Sequence, residues 1–181
     1  MAILKCLYLI CSIIVLAAIS IPVGHSRPLK PKNVEGIIDI EETCNQTIDN
    51  GYCIQLLQGD SLINHWGLRG QAFRLLEEIT RKAFDALRKV NQLLVGKIDE
   101  ALTSCSEDLD AIVVVDIPKA TQALKSRDLK SALEAVLDVS LKLDKCEIGF
   151  YGRHSPIIKE SSLLKIAIKV AIKVIKLLLK F

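Results

Sequence analysis

Cysteine is the residue type in this chain whose spacing points most directly to chemistry. Two of the six cysteines lie within the first 26 residues, and the other four are Cys44, Cys53, Cys105 and Cys146. None of these four belongs to a C-x-x-C pair of the kind that binds zinc or exchanges disulfides. An even number in a secreted chain is typical of two disulfides, and four cysteines allow three pairings.

The positions of the predicted turns favour one of these pairings. The midpoint of Cys44 and Cys53 falls in a turn at residues 46–51, and the midpoint of Cys105 and Cys146 falls in a break between two stretches of helical periodicity. Antiparallel helices of equal length would bring the second pair together at roughly 30 Å from their turn. A crossed pairing requires a less symmetrical arrangement, so we expect two helical hairpins, each closed by its own disulfide.

Other chemistry-bearing residues are sparse. Beyond residue 26 the only histidines are His65 and His154, and neither has a cysteine or carboxylate at zinc-ligand spacing. The sequence contains no H-E-x-x-H, no G-x-S-x-G and no glycine-rich phosphate loop. We therefore predict no catalytic residues, no metal and no cofactor, which favours a binding protein over an enzyme.

The N-terminal 26 residues resemble a secretory signal peptide. Lys5 precedes an apolar run at residues 7–19, and Gly24 and Ser26 supply small residues for cleavage; cleavage after Ser20 or Gly24 is the alternative. The run is short for a transmembrane anchor. We expect residues 27–39, which contain two prolines, to form a flexible arm, and residues 40–181 to form the domain.

Charge gives little indication of a partner. Loss of Lys5 from the 24 basic residues leaves 23 against 21 acidic ones, a net charge of about +2. That balance argues against nucleic acid as a partner.

Helical periodicity predicts an all-α domain. A short hairpin with its second helix at residues 53–58 precedes a long helix at 68–94. Asp99 and Asp128 are expected to cap the next two helices, and Pro118 to kink or restart the first of these near Asp116. Val113, Val114 and Val115 are strand-like, but no second strand candidate exists to pair with them.

The last predicted helix begins near Ser161 or Ser162 and runs to Phe181. Its polar side is one stripe of lysines, and all other positions from Leu163 onward are apolar: Lys165, Lys169, Lys173, Lys176 and Lys180 form the stripe. We interpret it as the central helix of a bundle. The alternatives are a cationic membrane-surface helix, as in a membrane-active defence protein, and a helix that leaves some apolar residues for a homodimer seam.

One modification site is predicted. Asn45-Gln46-Thr47 is an acceptor for N-glycosylation, next to a cysteine that we expect to be bonded.

Eight residues lie between Cys44 and Cys53, and forty lie between Cys105 and Cys146. In a secreted helical chain, this spacing resembles that of the plant invertase and pectin methylesterase inhibitor family. The resemblance covers roughly residue 40 to the C-terminus and includes Thr47, Leu68-Arg69-Gly70, Cys146-Glu147 with Phe150, and Ser162-Leu163. It implies an up-and-down four-helix bundle with an N-terminal disulfide-linked helical hairpin. It also implies a secreted inhibitor in the apoplast or cell wall, which covers the cleft of pectinesterase in a 1:1 complex or blocks acid invertase, a β-fructofuranosidase.

Two short segments differ from the family patterns. Invertase inhibitors carry Pro-Lys-Phe where this chain has Leu129-Lys130-Ser131, and pectinesterase inhibitors often carry Thr and Asp where it has Lys145 and Ile148. Because the Pro-Lys-Phe segment is lost, and because the resemblance implies that pectinesterase is recognised over a helical face, we place pectinesterase ahead of invertase as the target. The contact residues that we expect, on the exposed faces of the second and third bundle helices, are Lys119, Gln122, Lys130 and Glu134.

Overall fold

The computed structural model describes residues 44–45, 49–58 and 67–180. The signal peptide predicted at residues 1–26 and the arm predicted at 27–39 lie outside this part of the chain, as do Thr47 and His65.

Every regular element in the described residues is helical. The helices are α1 (Asn50–Gln58), α2 (Gly67–Leu94), α3 (Glu100–Ala111), α4 (Ile117–Ser126), α5 (Leu129–Ile148) and α6 (Ile158–Leu178). A π-helical turn at Ile112–Asp116 joins α3 to α4, so these three form one continuous rod, here called the second bundle helix. It packs against α2 and α5, and α6 packs against α2 and α5, which closes an up-and-down four-helix bundle. The predicted all-α four-helix bundle is confirmed. The residues before Cys44, which would supply the first helix of the predicted hairpin, lie outside the described part of the chain.

Local capping chemistry places two helix starts where the sequence predicts them. The carboxylate of Asp99 accepts a hydrogen bond from the amide of Leu102 at 3.1 Å, and Asp128 accepts one from the amide of Ser131 at 3.0 Å. Hydrogen bonds from the Arg153 guanidinium and the Leu102 amide lower the pKa of Asp99. The ion pair with Arg153 ties the start of α3 to the loop between α5 and α6.

Two other helix starts differ from prediction. α1 begins at Asn50 rather than Cys53, because the Asp49 carboxylate accepts a hydrogen bond from the amide of Tyr52 at 2.9 Å. The prediction that Ser161 or Ser162 caps α6 is wrong, since both lie inside the helix and their hydroxyls donate to the carbonyl of Ile158.

Both ends of α6 differ from the predicted bounds. Ile157, at the N-cap position, is fully buried, so the start of the helix is fixed by packing rather than by a side-chain cap. The helix ends at Leu178, not at Phe181, which is outside the described residues.

The π-helical turn explains how Pro118 fits into the second bundle helix. Proline lacks an amide hydrogen, and in a regular helix its ring meets the carbonyl four residues earlier. Here the amide of Ile117 donates to the carbonyl of Ile112, five residues back, and Pro118 falls in the first turn of α4. The wider turn absorbs one extra residue, so Ile112 and Ile117 both remain in the core.

Most of the circumference of α6 is buried against other helices, as the bundle interpretation predicts. Consecutive residues Ile166, Ala167 and Ile168 are all buried, which a helix lying on a membrane surface would not require. Lys169 and Lys176 are exposed. No helix within the described residues combines the length and apolar character needed to cross a bilayer.

The structure contains the two disulfides that the cysteine spacing favours, Cys44–Cys53 and Cys105–Cys146. They close loops with sequence separations of 9 and 41 residues. In the loop-entropy account these closures stabilise the fold by about 2.5 and about 4 kcal/mol as upper figures. The second disulfide joins the second bundle helix to α5.

A polar cluster attaches α1 to the bundle. The Tyr52 hydroxyl donates a hydrogen bond to Glu78 on α2, and Arg81 donates two more to the same carboxylate. Burial and the bond to Glu78 raise the pKa of Tyr52. Burial alone would raise the pKa of Glu78, but the hydrogen bonds from Arg81 and Tyr52 outweigh it and lower that pKa.

The bundle interpretation of α6 predicts unequal effects of two neighbouring substitutions. Ile175→Ala removes a fully buried side chain and should lower the free energy of unfolding by about 2–5 kcal/mol. Lys176→Ala, at an exposed position, should change it by less than about 0.5 kcal/mol. Urea unfolding of both variants is the measurement, and equal effects would contradict a central α6.

Glu78 should make the stability of the protein depend on pH. Because its pKa is lower in the folded than in the unfolded chain, its contribution is present above the unfolded pKa and is lost as pH falls through the folded pKa. Glu78→Gln should therefore destabilise at neutral pH and converge with the parent in acid. Urea unfolding of both proteins from neutral pH to about pH 3, a range that spans the ordinary glutamate pKa of about 4.3, tests this. A difference that stays constant over this range would contradict it.

Candidate interaction surface

The residues predicted to contact a target are all exposed and lie on two helices that pack side by side. Lys119 and Gln122 are on α4, and Lys130 and Glu134 are on α5. On α5 steps of three and four residues continue from Glu134 to Leu137 and Leu141. Val115 lies four residues before Lys119, in the π-helical turn that precedes α4. These exposed stripes, together with Val114, are here called the α4–α5 face.

The centre of the α4–α5 face is apolar. Val114 and Val115 are 58% and 54% exposed, and Leu137 and Leu141 are 40% and 66% exposed. In the sequence the three consecutive valines are only strand-like, and their pattern does not predict this patch.

Two ion pairs fix the second bundle helix against α5 beneath this face. Lys142 on α5 contacts Asp116 at 2.6 Å, and Lys145 contacts Asp108 at 3.0 Å. Both aspartates are buried. Loss of Lys142, the less exposed of the two lysines, would leave the buried carboxylate of Asp116 without its partner and destabilise this helical pair.

The π-helical turn brings the two aspartates onto the same side of the helix. Residues eight apart in a regular α-helix are rotated by about 80° from each other, at 100° per residue. One extra residue in a π turn reduces this offset to about 20°. Asp108 and Asp116 can therefore both point toward α5, and the same rotation leaves Val114 and Val115 outside.

The end of the face near Lys130 is held by side-chain contacts to the turn between α4 and α5. The Arg69 guanidinium, from the start of α2, donates to the carbonyls of Leu124 and Lys125 at 2.7 and 2.9 Å. These carbonyls belong to the last turn of α4, where cations are favoured. Arg127 adopts a left-handed conformation with φ of 63°, and Asp128 caps α5 directly after it.

The remaining candidate residues form no site. His154 is exposed in the loop between α5 and α6, and Asn45 is exposed beside the first disulfide. Among the residues that the structure describes, no group of three histidine, cysteine or acidic side chains is arranged to hold a metal ion.

No protein-family model matches the chain. A curated relative, the cell wall/vacuolar inhibitor of fructosidase 1 of Arabidopsis thaliana, is 31% identical over 120 residues, which make up 65% of this chain. The chain spans 58% of the length of that relative.

Two solved structures share the fold. A mutant form of a pectin methylesterase inhibitor from Arabidopsis has a TM-score of 0.64 at 17% identity. A pectin methylesterase inhibitor from Arabidopsis thaliana has a TM-score of 0.56 at 18% identity. Each comparison covers 77% of this chain and 97% of the other.

In sequence this chain resembles an inhibitor of fructosidase, and in fold it resembles pectin methylesterase inhibitors, in agreement with the resemblance found in the sequence. The sequence likeness is to a fructosidase inhibitor, and the structural likeness establishes the shared helical bundle. The relatives are inhibitor proteins.

The two hydrogen bonds that Arg69 donates to the end of α4 predict that it stabilises the turn between α4 and α5. Arg69→Met keeps most of the side-chain length but removes two charge-assisted hydrogen bonds, so the free energy of unfolding should fall by about 1.5–3 kcal/mol. Amide hydrogen exchange should also become faster at residues 124–128. Lys89→Met, at an exposed position of the same helix, is the matched control and should change neither quantity. Unchanged exchange in the Arg69 variant would show that the turn does not depend on this residue.

Proposed function

We propose that this protein is a secreted inhibitor of a plant cell-wall carbohydrate enzyme, with pectinesterase as the first target. It acts by placing the α4–α5 face over the substrate cleft, in a 1:1 complex. The observation that carries the proposal is this face, with an apolar centre and charged and amide side chains around it. The likeness in fold to pectin methylesterase inhibitors supports the choice of enzyme class.

The chemistry of the face suits binding to a protein. Protein interfaces have an apolar centre that becomes fully desolvated and a polar rim that remains partly wet. Val115, Leu137 and Leu141 would form the centre, with Lys119 and Glu134 toward the rim. Steric occlusion requires no nucleophile or metal from the inhibitor, so all that is required of these side chains is a stable position.

The rigidity of the helical pair supports this mechanism. Side chains and loops that become ordered on binding each reduce the affinity through lost entropy. In the free protein the second bundle helix and α5 are already joined by a disulfide and two ion pairs. The face would therefore bind with little rearrangement.

The proposed place of action is the apoplast or cell wall. The signal peptide predicted from Lys5 and the apolar run supports secretion, and two disulfides suit an oxidising compartment.

Acid invertase is the second candidate target. The 31% identity to an inhibitor of fructosidase favours it. Lys130, which matches the lysine of the Pro-Lys-Phe segment, is exposed in the first turn of α5 beside the Arg69-supported turn. The proline and phenylalanine that flank this lysine in invertase inhibitors are replaced by Leu129 and Ser131.

A single charge in the apolar centre should separate binding from folding. Leu141→Asp should weaken inhibition by about 10- to 100-fold, because an anchor is lost and a charge must be desolvated. Its thermal unfolding should stay near that of the parent, since Leu141 is 66% exposed. Ile98→Asp, at a fully exposed position in the loop between α2 and α3, is the matched control and should inhibit normally.

The assay uses purified, oxidised protein titrated against pectinesterase and acid invertase separately. Inhibition of pectinesterase that saturates at one equivalent supports the proposal, and selective inhibition of invertase would transfer it to the second target. If neither enzyme loses activity at micromolar inhibitor, the proposed function is wrong. Sedimentation of the free protein would show whether it is a homodimer before binding.

A further inference from the structure

Asn45 occupies an accessible position at the first disulfide. It directly follows Cys44, which is helical and fully buried, yet its own side chain is exposed. The sequence continues with Gln46 and Thr47, so Asn45 is the first residue of a complete acceptor sequon. Exposure and sequon therefore coincide at one asparagine of the folded chain.

The hydrogen bonding of Asn45 leaves its amide nitrogen available. Its Oδ1 accepts a hydrogen bond from Nδ2 of Asn50 at 3.4 Å, and Asn50 is also exposed. The atom that carries an N-linked sugar is Nδ2 of Asn45, which no hydrogen bond among the described residues engages. A sugar on this nitrogen is compatible with both the contact to Asn50 and the neighbouring Cys44–Cys53 disulfide.

We infer that Asn45 carries an N-linked oligosaccharide in the secreted protein. The co-reactant is an oligosaccharide attached through a diphosphate to a lipid of the secretory pathway. Nδ2 of Asn45 forms a bond to the anomeric carbon of the first sugar and loses one proton. The bond from that carbon to the diphosphate oxygen breaks, and the lipid diphosphate leaves with the bonding electron pair.

The glycan belongs to a different part of the fold from the α4–α5 face. The disulfide joins Cys44 to Cys53 within α1, which packs against α6 and is bonded through Tyr52 to α2. The α4–α5 face lies on the other two members of the bundle. The oligosaccharide therefore covers the surface at the Cys44–Cys53 disulfide and leaves target binding unchanged.

The test expresses the full chain, with its own N-terminal segment, in eukaryotic cells and collects protein from the medium. The intact mass should exceed that of the chain by one oligosaccharide, and a glycan-releasing amidase should remove the excess and leave aspartate at position 45. Thr47→Ala should abolish the modification, while Thr47→Ser should retain it. Secreted protein with unmodified Asn45, or protein retained in the cells without modification, would overturn the inference.

A second acceptor provides a matched comparison on the α4–α5 face. Lys119→Asn places an acceptor ahead of Ala120 and Thr121, so a single exposed substitution completes a sequon there. A glycan at 119, verified by mass, should abolish inhibition, and enzymatic release should restore it. The glycan at 45 should change inhibition by less than about threefold relative to Thr47→Ala, a difference below 1 kcal/mol.

The two proposals fail separately. A chain that carries the glycan at Asn45 but inhibits neither enzyme supports the modification and overturns the proposed function. A chain whose inhibition improves strongly in Thr47→Ala overturns the inferred separation between the glycan and the target-binding face.

Discussion

Burial of α6 is the constraint on which the rest of the structure depends. A helix that is apolar on nearly all sides must be surrounded, and α2, α5 and α1 pack against it. Lysines then occupy the remaining strip, where Lys165 pairs with Asp144 and Glu147 on α5. The outer helices need to bury only one side each, so their other sides remain available for recognition.

The α4–α5 face illustrates how an internal constraint determines an external surface. Asp108 and Asp116 reach lysines of α5 because the π-helical turn rotates the later residue into line. That rotation also turns two valines outward in the middle of the face. Register, ion pairing and the exposed apolar patch thus have one geometric cause.

The sequence was informative where the determinants are local. Asp99 and Asp128 act on amides three residues away, so their capping roles are readable from spacing. The start of α6 was not readable, because buried Ile157 sets it through contacts distant in sequence. The apolar patch is not readable from the sequence for a related reason, because a π turn depends on what both flanking helices must bury.

The π-helical turn also restricts how this sequence can change over evolutionary time. Deleting one valine would return the second bundle helix to regular pitch, but Pro118 would then press against a carbonyl with no room to accommodate it. Replacing Pro118 first would relax the constraint and make the deletion tolerable. The extra residue and the proline are therefore epistatic, and among descendants of this chain we expect Pro118 to be lost before the extra residue.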